Sequence, residues 1–226
     1  MKKLLAIILA GSSVVAMADT FQDFNNNLYA EYNLMSPNGG TLQNVDQWGV
    51  GGTFQSKNNV WANASAIFGT SGTNGTYTQS STISNMDIKA GYAFQFFGDD
   101  ANGLQVIPHV GFGFQQAGGA IDGTVYTYSL GIRPEYRFLS ALKVSLDANL
   151  VGTQQGASTA SGSYVNNGQD FGYSLSPEVQ YDISKTVMLA LAYTYSNSFN
   201  TGTSAVPGQA GSNGTNQLTA KVGYLF

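Results

Sequence analysis

Apolar and polar residues alternate with a period of two in ten segments of this chain, separated by polar stretches that are alternately short and long. Successive residues of a β-strand point to opposite faces of the sheet, so each segment predicts a strand with one apolar and one polar face. The predicted strands are 27–36, 47–56, 60–69, 83–97, 104–116, 124–138, 142–152, 171–182, 186–197 and 216–226. Eight or twelve strands are the alternatives if a weaker segment, 27–36 or 47–56, is misread.

The apolar face carries aromatic side chains near both strand ends and aliphatic side chains between them. In segment 124–138, for example, Tyr126 and Phe138 flank Leu130 and Ile132. Aromatic rings favour the two membrane interfaces, whereas a soluble β-sandwich has no reason to sort them to strand ends. Strands can cross lipid only as a closed barrel, because every backbone group must be paired. The predicted fold is therefore all-β, a transmembrane antiparallel up-and-down β-barrel of about ten strands.

Three prolines, Pro108, Pro134 and Pro177, fall inside predicted strands. Each lacks the N–H that the ladder of hydrogen bonds requires, so we expect a β-bulge at each position. All three prolines fall on outward-facing positions, so the alternation of apolar and polar residues continues through them.

The connections between the strands alternate in length. Short ones lie near 57–59, 98–103, 139–141 and 184–185, and longer ones rich in Gly, Ser, Thr and Asn lie at 37–46, 70–82, 117–123, 153–170 and 198–215. Outer-membrane barrels have short periplasmic turns and long outer loops. The pattern therefore predicts the long loops on the outer side and both chain ends on the periplasmic side.

The N-terminus has the features of a secretory signal peptide. Lys2 and Lys3 precede an apolar run at 4–10, and small residues lead to an A-x-A pattern at 16–18. We expect cleavage after Ala18, which divides the chain into a signal peptide (1–18) and one barrel domain (19–226). The expected location is the cell outer membrane.

Charge and cysteine content exclude several function classes. Removing Lys2 and Lys3 leaves seven basic and thirteen acidic residues with no basic run, so nucleic acid is not an expected partner. The chain has no cysteine, which excludes disulfides and thiolate metal sites. No cofactor, metal ligand or catalytic residue is assigned.

Segments 106–114 (Val-Ile-Pro-His-Val-Gly-Phe-Gly-Phe), 130–138 (Leu-Gly-Ile-Arg-Pro-Glu-Tyr-Arg-Phe) and 222–226 (Val-Gly-Tyr-Leu-Phe) carry a resemblance to a known family. They resemble the small outer-membrane β-barrel proteins of Gram-negative bacteria, the OmpA/OmpX-like superfamily. The resemblance implies contact with outer-membrane lipid and lipopolysaccharide. It also implies that the outer-membrane assembly machinery reads the terminal strand, at Val222, Tyr224 and Phe226. Members of this superfamily have eight strands, whereas we count ten here.

Half of the charged residues after the signal peptide fall on inward-facing positions. Together with the single histidine they form a predicted lumen network of Glu31, Asp87, Lys89, His109, Arg133, Glu135, Arg137, Lys143, Asp147, Glu178 and Lys221. Their signs nearly cancel. Such a set fits either a filled polar core, in which buried charges are paired, or a constricted pore whose charges set selectivity. Inward glycines could open such a path or make room for neighbouring side chains.

Strand register predicts how some of these charges meet. Pairing Phe138 with Leu142 through the tight turn places Arg133 across from Asp147, and Glu135 diagonal to Lys143. By the equivalent turn, Lys89 lies opposite a glycine, Gly111.

The resulting prediction is a non-enzymatic outer-membrane barrel with a structural or surface role, or with a narrow passive pore for ions and small polar solutes. A first alternative is an adhesin that binds a surface ligand through loops 153–170 and 198–215. A more remote one is a barrel-embedded hydrolase using His109 with Ser129 and Glu135, although no nucleophile motif surrounds Ser129. The oligomeric state stays open.

Overall fold

A computed structural model of the protein describes residues 21–37, 45–71, 81–98, 102–119, 123–138, 141–155, 169–199 and 214–226. They form a short helix, α1 (Phe21–Asn25), and eleven strands. The strands are β1 (Asn27–Pro37), β2 (Val45–Gln55), β3 (Val60–Ser71), β4 (Ser81–Tyr92), β5 (Phe94–Gly98), β6 (Gly103–Gly119), β7 (Gly123–Phe138), β8 (Leu142–Gln155), β9 (Gln169–Asp182), β10 (Val187–Ser198) and β11 (Thr215–Leu225). No helix within these ranges is long and apolar enough to span a membrane.

The eleven strands form one antiparallel sheet that closes on itself. Each strand from β6 to β10 pairs with the next, β11 pairs with β1, and the order continues through β2 and β3 to β4. Both β4 and β5 pair with β6, one after the other along its length, and so close the ring. The predicted all-β, ten-strand antiparallel barrel is confirmed, with segment 83–97 divided into two strands.

The division between β4 and β5 has a local cause. The pairing of β4 with β6 ends at Gly91 opposite His109 and resumes at Phe94 opposite Val106, in an unchanged register. The interrupted stretch of β6 contains Pro108, which has no N–H to donate. The N–H of Ala93 instead donates to the carbonyl of Asn59 in the β2–β3 turn, at 2.8 Å.

The prediction of a β-bulge at each proline is wrong. At Pro134 the β7–β8 ladder lacks two pairs, and at Pro177 the β9–β10 ladder lacks two, but both ladders resume in register. Each proline thus removes hydrogen bonds without adding a residue, which is why the inward and outward parity survives. Within the described ladders, a register shift occurs between Gln95 and Phe97.

The two faces of the barrel differ as the alternation predicts. Aliphatic side chains such as Leu130, Leu191 and Val222 lie outside and are more than half exposed. Outward aromatic rings contact one another across strands: Phe112 lies 5.5 Å from Tyr128, and further pairs lie at the opposite end of the barrel. Polar and charged side chains on the inward face are mostly buried.

Candidate functional site

The lumen collects the charged residues that the alternation assigns to it. All eleven lie on inward positions, and none of them is exposed. Seven are buried: Glu31, His109, Glu135, Arg137, Lys143, Asp147 and Glu178. The other four, Asp87, Lys89, Arg133 and Lys221, are partly buried. Charges at such depth are costly unless they are paired, so their partners determine what the lumen can do.

Arg133 is the centre of the largest ion-pair cluster. Its Nε donates to Glu135 Oε1 at 2.7 Å, and its Nη2 donates to Glu178 Oε1 at 2.8 Å. Lys221 Nζ donates to the other oxygen of Glu178 at 2.6 Å, and Lys143 Nζ lies 3.8 Å from Glu135. The cluster joins strands β7, β8, β9 and β11 across the interior.

The register of β7 with β8 is the predicted one, with Phe138 opposite Leu142. The ion pair suggested for Arg133 is nevertheless different, because the guanidinium reaches Glu135 and Glu178 rather than Asp147. Side-chain reach explains the difference: a long arginine can cross a narrow lumen to another strand.

Asp147 belongs to a second cluster. Lys89 Nζ donates to its Oδ2 at 2.8 Å, and Asn149 Nδ2 donates to its Oδ1 at 2.7 Å. The Nε2 atom of His109 lies 3.2 Å from Asp147 Oδ1 and 2.9 Å from Asn149 Oδ1. Lys89 reaches this cluster from β4. It pairs with Gly111 on β6, as the register predicts, and glycine leaves room for the lysine side chain.

The described contacts of His109 differ from those that the Ser-His-Glu hydrolase alternative requires. The second ring nitrogen, Nδ1, lies 3.1 Å from the carbonyl oxygen of Ile107. Both ring nitrogens of His109 therefore already contact oxygen atoms. The described contacts of His109 do not include Ser129 or Glu135. The histidine therefore anchors the Asp147 cluster, and the ring packs 5.6 Å from Trp61.

Inward glycines make room for neighbouring side chains. A Cβ at Gly51 would lie 2.6 Å from the Tyr29 ring, and one at Gly49 would lie 3.1 Å from Glu31 Oε1. Likewise, a Cβ at Gly113 would lie 3.3 Å from Asp87 Oδ2. Of the two roles open to these glycines, the described interior thus favours accommodation of side chains over an open path.

Helix α1, which the alternation does not predict, occupies the end of the lumen at which the β2–β3 turn lies. Phe24 and Asn25 have no exposed surface, and the Phe21 ring lies against Gly103 at the start of β6. The guanidinium of Arg137 lies 5.5 Å from the Phe21 ring centre. The one sequence signal is the spacing of Phe21 and Phe24, three residues apart, as on one face of a helix.

A small cavity lies beside the Arg133 cluster. A cavity of about 10 Å³ lies among Tyr29, Lys143, Glu178 and Lys221, which is about the space of one water molecule. A larger hollow of about 480 Å³ lies elsewhere, on the barrel wall near Tyr128, Gly152 and Phe171. Among the described residues, no group of three or more acidic or histidine side chains could hold a metal ion.

Comparisons with known proteins identify the fold. No family model matches the chain, and no curated protein matches it in sequence. The transport unit of the autotransporter AIDA-I from Escherichia coli is similar at a TM-score of 0.51 and 10% identity, covering 98% of this chain and 96% of that one. The translocator domain of the autotransporter NalP from Neisseria meningitidis gives a TM-score of 0.50 and 13% identity, over 100% and 94%.

A third solved structure, the attachment invasion locus protein Ail of Yersinia pestis, gives a TM-score of 0.41 at 10% identity, covering 88% of this chain and 95% of that one. The two autotransporter barrels carry the structural likeness, which extends over nearly the whole chain. The barrel fold implied by the resemblance to small Gram-negative outer-membrane proteins is therefore confirmed.

Proposed function

We propose that this protein is an integral outer-membrane β-barrel with a sealed, charge-compensated lumen and a structural or surface-presenting role. The observation that carries the proposal is the Arg133 cluster. Its carboxylates and cations pair directly across the interior, with a free volume of about 10 Å³ beside them. A conducting path needs continuous water, so paired buried side chains in close contact support a sealed lumen.

The outer surface supports the membrane part of the proposal. The outward-facing apolar side chains would contact outer-membrane lipid and lipopolysaccharide. Val222 and Tyr224 on β11, and Phe226 directly after it, are each more than half exposed, and we expect the assembly machinery to read them as a terminal signal. Cleavage after Ala18 would accompany export, although the signal peptide lies outside the described residues.

A surface role would depend on the outer loops. Most of the predicted ligand-binding loops 153–170 and 198–215 lies outside the described residues. The adhesin alternative therefore rests on the sequence pattern alone. The narrow pore is the competing reading of the lumen, and a direct measurement separates it from the sealed barrel.

The test is conductance of the refolded protein in a planar bilayer, after a gel-mobility shift on heating has shown that the protein is folded. A sealed lumen predicts a silent bilayer for the wild type and for the control Lys57→Gln, which changes an exposed residue in the β2–β3 turn. Discrete current steps whose size or ion preference changes in Arg133→Ala would contradict the sealed barrel and establish a pore.

A further inference from the structure

The periplasmic end of the barrel has the properties of a binding site that is already occupied. Four strands contribute polar side chains that converge on α1: Gln55 from β2, Glu135 from β7, Lys143 from β8 and Gln180 from β9. All four side chains are buried. The groups that α1 contacts therefore belong to the barrel wall and would lack these partners without the helix.

Asn25 makes the most specific contacts of the helix. Its amide nitrogen donates to Gln55 Oε1 at 2.7 Å and to Glu135 Oε2 at 2.9 Å. Its amide oxygen accepts a hydrogen bond from Lys143 Nζ at 2.6 Å. One carboxamide thus bridges an anion and a cation that stand 3.8 Å apart, which neither a carboxylate nor an aliphatic side chain could do.

The rest of the helix fits the same site. The carbonyl oxygen of Phe24 accepts from Gln180 Nε2 at 3.2 Å. The cationic groups of Arg137 and Lys143 each lie 6.0 Å from the centre of the Phe24 ring. Cations at this distance from a desolvated ring are attracted to it. A helix of five residues is too short to be stable alone, so its order comes from these contacts.

We propose that the periplasmic mouth is a peptide-binding site for a Phe-x-x-Phe-Asn segment, that its occupant is the chain's own α1, and that occupancy seals the lumen. The inference rests on the proposed sealed barrel and adds where the seal lies. Asn26 alone separates α1 from β1, so the tethered segment is present at a high effective concentration and keeps the site filled.

A single cysteine can report access to the lumen because the chain has none. Ser145 is suitable: it is 7% exposed, its Oγ has no hydrogen-bond partner, and it lies opposite Glu135 and Glu178 in the ladders. In Ser145→Cys, the rate of labelling by a hydrophilic maleimide measures how often water reaches the centre of the ion network.

Two perturbations test the seal, one from each side of the contact. Phe24→Ala combined with Asn25→Ala removes the anchors of the helix, whereas Gly103→Val pushes against the Phe21 ring from the wall. Both should raise the labelling rate at least about tenfold, because the lost hydrogen bonds include charge-assisted ones. The control at the same end of the barrel is Lys57→Gln, an exposed position in the β2–β3 turn that should label at the original rate.

Addition of a peptide tests whether the mouth is a binding site. A barrel without residues 21–25 should label quickly, and synthetic Phe-Gln-Asp-Phe-Asn should restore protection in a saturable manner. The same peptide with Ala in place of its last residue, Asn, should not restore protection. Protection by neither peptide, from a barrel that is folded by gel shift, would overturn the peptide-binding site.

The labelling rates also distinguish this inference from the proposed function. Slow labelling in every folded variant would mean that the ion network itself seals the barrel, and the helix would not be the seal. Fast labelling in the unperturbed chain would contradict the sealed barrel itself.

Discussion

Glu178 compensates two cations in the lumen, and its replacement by Gln tests whether the interior is dry. Its two carboxylate oxygens accept from Arg133 at 2.8 Å and from Lys221 at 2.6 Å, and its side chain is only 8% exposed. Glu178→Gln nearly preserves the shape and removes the charge. Lys221 then loses its closest anion, while Arg133 keeps Glu135 at 2.7 Å.

The expected cost follows from the number of charges left without a partner. Removing one member of a buried ion pair destabilises a protein by about 3–5 kcal/mol. Because Arg133 keeps a second carboxylate, we expect the lower value, a loss of about 3 kcal/mol in the free energy of unfolding. Replacing Lys221 by Met as well removes the orphaned charge, and the double variant should return to within about 1 kcal/mol of the wild type.

Urea unfolding of the refolded barrel in lipid vesicles, followed by tryptophan fluorescence, measures both values. Lys57→Gln is the control, since an exposed turn residue should change stability by less than about 0.5 kcal/mol. A loss below about 1 kcal/mol for Glu178→Gln, with an unchanged denaturant slope, would refute the reasoning. It would mean that water screens the cluster as it screens surface pairs, and hence that the lumen is open.

Two further predictions test the packing and the orientation of the strands. Gly131→Ala should destabilise the barrel by about 1–3 kcal/mol in the same urea assay, because its Cβ would overlap the Asn149 side-chain oxygen. The control Gly152→Ala, whose nearest neighbour would be 3.3 Å away, should be tolerated; equal losses would argue against a filled lumen. Trp48 is 66% exposed and Trp61 only 2%, so brominated lipid should quench the fluorescence of a variant that keeps Trp48 and spare one that keeps Trp61. Equal quenching of the two would contradict the assigned faces.

The alternation of residue types was sufficient to predict the barrel because a strand in a membrane has two chemically opposite faces. The same periodicity predicted which face each charge occupies, and Lys89 lies opposite Gly111 as expected. The split of 83–97 into β4 and β5 was not predicted. It depends on Pro108, a residue of the neighbouring strand, and periodicity within one segment does not include that neighbour.

Ion-pair partners were harder to predict than strand register. Register fixes which backbones are adjacent, but Arg133 and Lys221 reach the Glu178 carboxylate on β9 from β7 and β11, and neither of these strands pairs with β9. Helix α1 was missed for a different reason. Five residues carry too little periodicity to indicate a helix, and Asn25 becomes structured only through contacts with distant strands.

The sequence separation of these contacts determines when the lumen can become sealed. Asn25 meets Glu135 and Lys143 across 110 and 118 residues of chain, whereas Lys221 meets Glu178 across 43. Contacts this distant require that the intervening chain has already been ordered, because loop closure costs entropy before the contact can stabilise anything. The site for α1 is built from strands β2, β7, β8 and β9, so it is complete only when most of the barrel has formed. We therefore expect docking of the helix to be among the last steps of assembly, and protection of a cysteine at position 145 to follow barrel closure in time rather than accompany it.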